Sequence, residues 1–199
     1  MISKKKLIII LIVFLNLISF NLSKAIEPDV FVQSTVNRAS KLLSENISKD
    51  EKIKRLKLIA KETVDIKGIG LYTLGAARKS LTEEEKLIYA DRFEKYFLKS
   101  FSSRLAEFTN PEIDVFAKEI LNKNYTIVNS TLVATNERPE IKIDWRIYTK
   151  NPNQPLIRDL IIEGLSLART QKEEFASVLS SNDGDINALF KTLEEFTKK

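Results

Sequence analysis

The chain of 199 residues has no cysteine and no histidine, and only five Gly, five Pro, one Trp and one Met. The two absences exclude a Ser-His-Asp triad, a cysteine nucleophile, an imidazole base, a thiolate zinc site and a disulfide framework. An enzyme made from this sequence would have to rely on carboxylates, Lys, Tyr or Ser. With 43% apolar and 30% charged residues, the composition favours a folded globular protein.

The N-terminus has the pattern of an export signal. Three lysines at positions 4–6 precede an apolar run over 7–22, which ends in Ser23-Lys24-Ala25. A basic segment, an apolar segment and a small-residue site make a secretory signal peptide, and the run is too short and polar for a spanning helix of about 20 residues. We predict a signal peptide over 1–25, cleaved after Ala25, and one domain over 26–199. Lipoprotein processing is excluded because it needs a cysteine.

Cleavage changes the charge of the chain. The full sequence has 32 basic and 27 acidic residues, a net charge of +5. Four of the lysines lie in 1–25 and no acidic residue does, so 28 basic and 27 acidic residues remain, a net charge of +1. A nucleic-acid partner therefore loses its main electrostatic support.

The N-terminal half of the mature chain has helical periodicity. Apolar residues recur every three or four positions over 28–47, and again after the capping boxes that begin at Ser48 and Thr82. Asp65 can cap a short helix that Gly75 ends, and Pro111 limits the long helix after Thr82. We predict four helices in this half.

The second half changes to strand periodicity. Residues 140–147 alternate between charged and apolar side chains, which is typical of a half-buried antiparallel strand. Residues 113–120, 125–134 and 156–162 are predicted as further strands, and two helices are predicted after them. Helices, a meander of about four strands and two more helices predict an α+β fold with helices on one face of an antiparallel sheet.

Three motifs with possible chemistry have simpler structural explanations. Gly68-Ile69-Gly70 lacks the spacing of a phosphate loop and is predicted to allow close helix packing. The run over 182–185 lacks the register of a calcium loop and is predicted to be a turn with a helix N-cap. A carboxylate-based hydrolase needs two acidic side chains opposite each other, and the sequence does not place Asp159/Glu163 or Glu173/Glu174 in that way. We interpret Asp159 as part of an ion pair on a face of the sheet.

Two apolar stretches allow two interpretations. The aromatic residues Phe93, Phe97, Phe101 and Phe108 form a stripe on the long helix, and the strand over 156–162 is apolar on both faces. Both can simply pack into a filled core. They can also form the walls of an apolar cavity between helices and sheet. Residue spacing alone does not separate these two possibilities.

Three stretches of the mature chain resemble the MlaC family of periplasmic phospholipid carriers, also known as toluene-tolerance or ABC-transporter auxiliary proteins. Residues 158–167, with the sequence RDLIIEGLSL, resemble the family's strongest signature. Residues 174–179 and the turn at 183–186 resemble its C-terminal end. Residues 64–75, with Thr82, Phe93 and Phe97, resemble its helical half.

The resemblance implies a carrier with a curved antiparallel sheet and a lipid pocket, located in the periplasm. It implies a phospholipid ligand, no cofactor, no catalysed reaction and no metal. It also implies two partners, an inner-membrane ABC transporter complex and an outer-membrane lipoprotein–porin complex, between which lipid is shuttled to maintain outer-membrane asymmetry.

We expect the lipid tails to contact apolar residues on both layers. The resemblance supports Phe101 and Leu165 most directly, and the others are chosen by the direction they are expected to face. The predicted contacts are Tyr72, Phe93, Phe97 and Phe101 on the helices and Ile143, Trp145, Ile161 and Leu165 on the sheet. Two alternatives stay open, a periplasmic adaptor or chaperone with a filled core and a carboxylate-based cell-wall hydrolase.

Overall fold

The computed structural model describes residues 25–198, so the predicted signal peptide lies almost wholly outside the described residues. The N-terminal half forms four helices, as predicted. They are α1 (Pro28–Ser44), α2 (Lys49–Thr63), α3 (Ile66–Thr73) and α4 (Glu83–Leu105), with a 3-10 turn at Ala77–Lys79 before α4. Among the described residues, no helix combines the length and apolarity needed to cross a membrane.

The helices begin where the sequence supplies side-chain caps. Ser48 accepts a hydrogen bond from the amide of Glu51 at the start of α2, and Asp65 accepts one from Gly68 at the start of α3. Thr82 and Glu85 form a complete, reciprocal capping box at α4. Each cap satisfies amides that have no partner inside the helix, which fixes where the helix begins.

The second half begins with an antiparallel meander. Its strands lie side by side in chain order, and adjacent strands pair antiparallel. They are β1 (Ile113–Asn122), β2 (Tyr125–Leu132), β3 (Ile141–Tyr148), β4 (Leu156–Ile162) and β5 (Leu165–Ser166). The first four match the predicted strands, and the two-residue β5 was not predicted. The α+β fold class is confirmed.

The register of the sheet shifts at three places. Two shifts lie in β1, at Phe116 and Leu121, and one lies in β4, at Arg158. An extra residue bends a strand and strengthens its twist. The shift in β4 also changes which residues share a face, because Ile147 pairs with Ile157 whereas Trp145 pairs with Leu160.

The helices cover one face of the sheet, called here the inner face. Val128, Leu132, Ile143, Trp145 and Ile147 point to it and are buried. Helix α1 packs on β1 and β2, and two C-terminal helices, α5 (Leu167–Ser180) and α6 (Ile186–Lys198), close the other end. Lys118 on β1 bonds to Glu27 and Asp29 and ties the start of α1 to the sheet edge.

Gly70 and the turn over 182–185 have the structural roles predicted for them, whereas Gly68 makes room for the Arg158 side chain of β4 and not for a helix. A Cβ on Gly70 would lie 2.9 Å from the ring of Phe93, so the glycine lets α3 approach α4 closely. Asp183 and Gly184 both have positive φ in the turn after α5, and Asp185 accepts a hydrogen bond from the amide of Asn187 at the start of α6. The turn is therefore a connection between helices with an N-cap.

Candidate functional site

A large apolar cavity lies between the first helices and the inner face of the sheet. Its volume is about 350 Å³. Helices α1 and α2 form one wall, the C-terminal part of α4 with Phe108 forms a second, and β2, β3 and β4 form the floor. The helix wall uses small side chains, among them Ala39, Ser40 and Ala60, which do not reach far enough to fill the space.

The hydroxyl groups in this wall already have hydrogen-bond partners. Thr35 and Thr63 donate to the carbonyl oxygens of Phe31 and Ile59, four residues earlier in their helices, at 2.9 and 2.8 Å. Ser40 donates to the carbonyl of Pro111 at 2.8 Å. With these groups satisfied, the large cavity offers mainly hydrocarbon surface to a ligand.

The side chain of Trp145 has one polar atom, the indole nitrogen Nε1, and this atom also has a hydrogen-bond partner. Its Nε1 donates to Oγ of Ser130 at 2.8 Å, and Ser130 in turn donates to the carbonyl of Ile143 at 2.9 Å. The indole is therefore held in one orientation on the inner face. It contributes only apolar ring surface to the cavity.

A second cavity, called here the side cavity, adjoins the first. It has a volume of about 240 Å³ and lies between α4, α5 and strands β3 and β4. The two cavities have a common wall that includes Phe101 and Arg104 of α4, Leu160 of β4 and Leu167 of α5, besides Trp145. Arg104 and Leu167 are both exposed, so the common wall reaches the protein surface between α4 and α5.

Five of the eight predicted contact residues line these cavities. Phe101 and Trp145 belong to the common wall, Ile143 lines the large cavity, and Phe93 and Phe97 line the side cavity. The aromatic stripe therefore borders unfilled space over part of its length, although Phe108, predicted on the same helix, lies beyond the end of α4 at Leu105. Its ring pairs are closely spaced, with 5.5 Å between the centroids of Phe97 and Phe101.

The structure does not bring the other three predicted residues to either cavity. Tyr72 is 41% exposed on α3, with Nζ of Lys172 5.2 Å from its ring. Leu165 is 59% exposed in β5 at the edge of the sheet. Ile161 pairs with Asp144 on the outer face, because the register shift at Arg158 gives the inner face to Leu160 and Ile162.

The sequence motif that resembles the family signature has a structural explanation. Glu163 and Gly164 have positive φ and form the tight turn between β4 and β5. Asp159, which is 4% exposed, accepts a hydrogen bond from Oγ of Ser166 at 2.6 Å and one from the amide of Ala168 at 3.0 Å. The motif thus fixes the start of α5, which carries Leu167 into the common wall.

Asp159 also has the sheet-face ion pair expected for it. Nη1 of Arg146 lies 3.7 Å from Oδ2 of Asp159, on the strand next to it. Arg158 points elsewhere and pairs with Asp65, the cap of α3. The two neighbouring residues therefore anchor two different helices, α5 and α3, to strand β4.

Sequence reasoning missed the cavity residues on α1 and α2. Val36, Ala39, Leu43, Leu56 and Ile59 line the large cavity, and all five belong to the helical periodicity of the sequence. That periodicity predicts which face of a helix is covered. It does not predict how far the covered face stands from the sheet.

Fold and cavity together define the class of this protein, an α+β domain that holds an apolar cavity between a helical layer and an antiparallel sheet. The family model described as "MlaC protein" matches residues 33–195. This match covers most of the chain, which therefore belongs to the MlaC family.

A solved structure supports the same fold. The phospholipid-binding protein from Ralstonia solanacearum, in complex with a phospholipid, superposes with a TM-score of 0.73 at 20% sequence identity. The match covers 87% of this chain and 98% of that one. A search of curated proteins found no match.

Proposed function

We propose that this protein is an exported, non-enzymatic phospholipid carrier of the periplasm. The observation that carries the proposal is the large apolar cavity between helices and sheet, together with the side cavity that adjoins it. A volume of about 350 Å³ falls within the range of roughly 300–1,000 Å³ that is usual for ligand sites. The fold of the Ralstonia solanacearum protein, which was solved with a phospholipid, supports the choice of ligand.

The energetics of lipid extraction explain why a carrier needs such a cavity. Moving one methylene group from a membrane into water costs about 0.8 kcal/mol. Two acyl chains with roughly 30 methylenes would therefore cost on the order of 24 kcal/mol to expose. A carrier must cover most of both tails, whereas the head group can remain in water.

The export signal predicted over residues 1–25 supports a periplasmic location. In this proposal the mature protein exchanges lipid with an inner-membrane ABC transporter complex and an outer-membrane lipoprotein–porin complex, and so helps to maintain the lipid asymmetry of the outer membrane. No catalytic step is needed, because lipid moves from one apolar environment to another.

The test of lipid binding fills the large cavity with a side chain. Ala39→Trp places an indole in the cavity wall, and Ala176→Trp, at an exposed position of α5, is the matched control. Native mass spectrometry after incubation with phospholipid vesicles measures the lipid bound. We expect wild type and Ala176→Trp to carry phospholipid and Ala39→Trp to lose most of it.

The same variants separate the carrier from the adaptor with a filled core. In a carrier, the indole of Ala39→Trp enters empty space and the folded state survives. In a filled core the added volume would cost about 1–3 kcal/mol of unfolding free energy. A wild-type protein that takes up no lipid, or an Ala39→Trp protein that loads lipid normally, would contradict the proposal.

A further inference from the structure

Arg104 stands where the two cavities meet. Among the described residues it is the one charged residue that lines both. A phospholipid has two tails joined at one glycerol unit, and the phosphate is attached at that junction. If each tail occupies one cavity, the glycerol must lie at the common wall. This topology puts the phosphate beside the Arg104 guanidinium at the surface between α4 and α5.

The side chain of Arg104 is available for such a contact. Within residues 25–198, no hydrogen bond or salt bridge of the structure involves its guanidinium, whereas Arg92 on the same helix pairs with Glu194. A guanidinium presents a planar fork of donors that suits phosphate oxygens and keeps its charge at any physiological pH.

Two carboxylates line the side cavity. Asp159 is buried and already has hydrogen-bond and ion-pair partners, whereas Glu174 of α5 is exposed on the rim. Nε2 of Gln171 donates to Oε2 of Glu174 at 2.8 Å, and Oη of Tyr96 donates to Oε1 of Gln171 at 2.7 Å. These hydrogen bonds link the Glu174 carboxylate through Gln171 to the Tyr96 hydroxyl. Arg104 and Glu174 are too far apart for a salt bridge with each other, since none joins them within 4.0 Å.

Both charges act on the Tyr96 hydroxyl. Burial has the largest effect and raises the pKa of Tyr96, and the carboxylate of Glu174 raises it further. The hydrogen bond to Gln171 and the charge of Arg104 lower this pKa. Arg104, Glu174 and Tyr96 all line the side cavity, and both charges influence this one hydroxyl. The rim presents one positive and one negative group with a polar bridge between them.

We propose that Arg104 binds the phosphate and Glu174 the ammonium group of a zwitterionic phospholipid whose tails occupy the two cavities. The inference rests on the proposed carrier function and specifies its head-group site. An anionic phospholipid such as phosphatidylglycerol carries a neutral glycerol in place of the ammonium group, so it lacks the favourable charge pair with the Glu174 carboxylate. The rim thus selects against anionic phospholipids, although the tails contribute most of the affinity.

The experiment loads the delipidated mature protein from vesicles with equal amounts of phosphatidylethanolamine and phosphatidylglycerol of identical acyl chains. Native mass spectrometry reads the bound amount of each lipid. The test variants are Arg104→Gln and Glu174→Gln. The matched controls are Arg169→Gln and Glu173→Gln, exposed residues of the same charges that line neither cavity.

We expect wild type and both controls to enrich the zwitterionic lipid. Glu174→Gln should lower this preference about threefold to tenfold without reducing the total lipid bound. Arg104→Gln should reduce the uptake of both lipids by a similar factor. Both effects are moderate because exposed charges are partly screened by solvent. If wild type loads normally, Glu174→Gln leaves the lipid ratio unchanged and Arg104→Gln leaves the total uptake unchanged, the head-group site is overturned and the carrier function stands. A wild type without any lipid overturns both.

A titration with inorganic phosphate separates a lipid phosphate from a free anion as the source of the contact. We expect millimolar phosphate to leave lipid uptake unchanged, because the tails supply most of the affinity. Tight phosphate binding that Arg104→Gln abolishes, combined with normal lipid uptake by this variant, would overturn the proposal. Circular dichroism spectra of the four variants should match that of wild type, because all four residues are exposed.

Discussion

Helix α4 passes through two regions that are built from the same kinds of residue and packed in different ways. In the packed region, Tyr89 meets Phe175 of α5 with ring centroids 6.5 Å apart. Phe93 lies at the boundary of the two regions, because its ring packs on Phe175 at 6.2 Å and also lines the side cavity. In the cavity region, two turns further on, Phe101 and Leu105 face unfilled space. An apolar helix face is therefore compatible both with a filled core and with a ligand cavity.

The difference arises from the partners of the helix. In the packed region Gly70 lets α3 come close, and the rings of α4 and α5 interlock. In the cavity region the opposing helices α1 and α2 present Ala39, Ala60 and short hydroxyl side chains. Small residues would let the helix backbones approach the sheet if nothing held the two layers apart. Here the sheet and α4 keep helices α1 and α2 at a distance. The result is a void.

The largest contrast is expected between two phenylalanines. Phe175→Ala removes a ring that is 3% exposed in the packed region and should cost about 3–5 kcal/mol of unfolding free energy. Phe101→Ala should cost about 1–2 kcal/mol in lipid-free protein, because its half-buried ring already borders a cavity. Urea denaturation measures both. Equal losses would show that the cavity region is packed as tightly as the packed region.

An intermediate effect is expected at Asp159, which links the two regions by fixing the start of α5. Asp159→Asn removes the charge that accepts hydrogen bonds from Ser166 and Ala168 and should cost about 2–3 kcal/mol. Asp144→Asn is the control, since Asp144 is only partly buried and bonds to Asn129 on the outer face. Thermal unfolding of both variants tests this. A loss at Asp144 as large as that at Asp159 would contradict the capping role.

The smallest effects are expected at two buried polar pairs, one in each region. Ser130→Ala leaves the Trp145 indole without its acceptor in the cavity wall and should cost about 1–2 kcal/mol. Tyr89→Phe should cost about 1 kcal/mol, because Thr73, its partner in the packed region, keeps a bond to the carbonyl of Gly70. Urea denaturation measures the free energy of unfolding of both variants. A larger loss for Tyr89→Phe than for Ser130→Ala would contradict this order.

The sequence was most informative about local structure. The capping residues Ser48, Asp65 and Thr82 gave helix starts that the structure confirms, since each cap acts within three residues of itself. The alternation of charged and apolar residues over 140–147 predicted the bounds of β3 to within one residue. These features depend on neighbours along the chain, and so they can be recognised without knowledge of the tertiary structure.

The sequence was least informative about strand β4. Its apolar residues occupy both faces, so their alternation does not show which face is covered. The register shift at Arg158 then places Leu160 and Ile162 on the inner face and Ile161 on the outer one. Ile161 was selected as a contact by a regular alternation that the strand does not have. The same limit applies to Leu165, whose motif forms a turn and a helix cap at the sheet edge.

The sequence by itself determined the α+β order of elements and the lack of His and Cys chemistry. It also showed the resemblance to the MlaC family and predicted the export signal. Only the tertiary structure decided that the apolar surfaces of α1, α2, α4 and the sheet enclose a cavity, and that Arg104 stands at its opening. The physical reason is that hydrophobic periodicity reports which side chains leave water. Whether they then meet depends on the spacing of layers, which contacts far apart in the chain set.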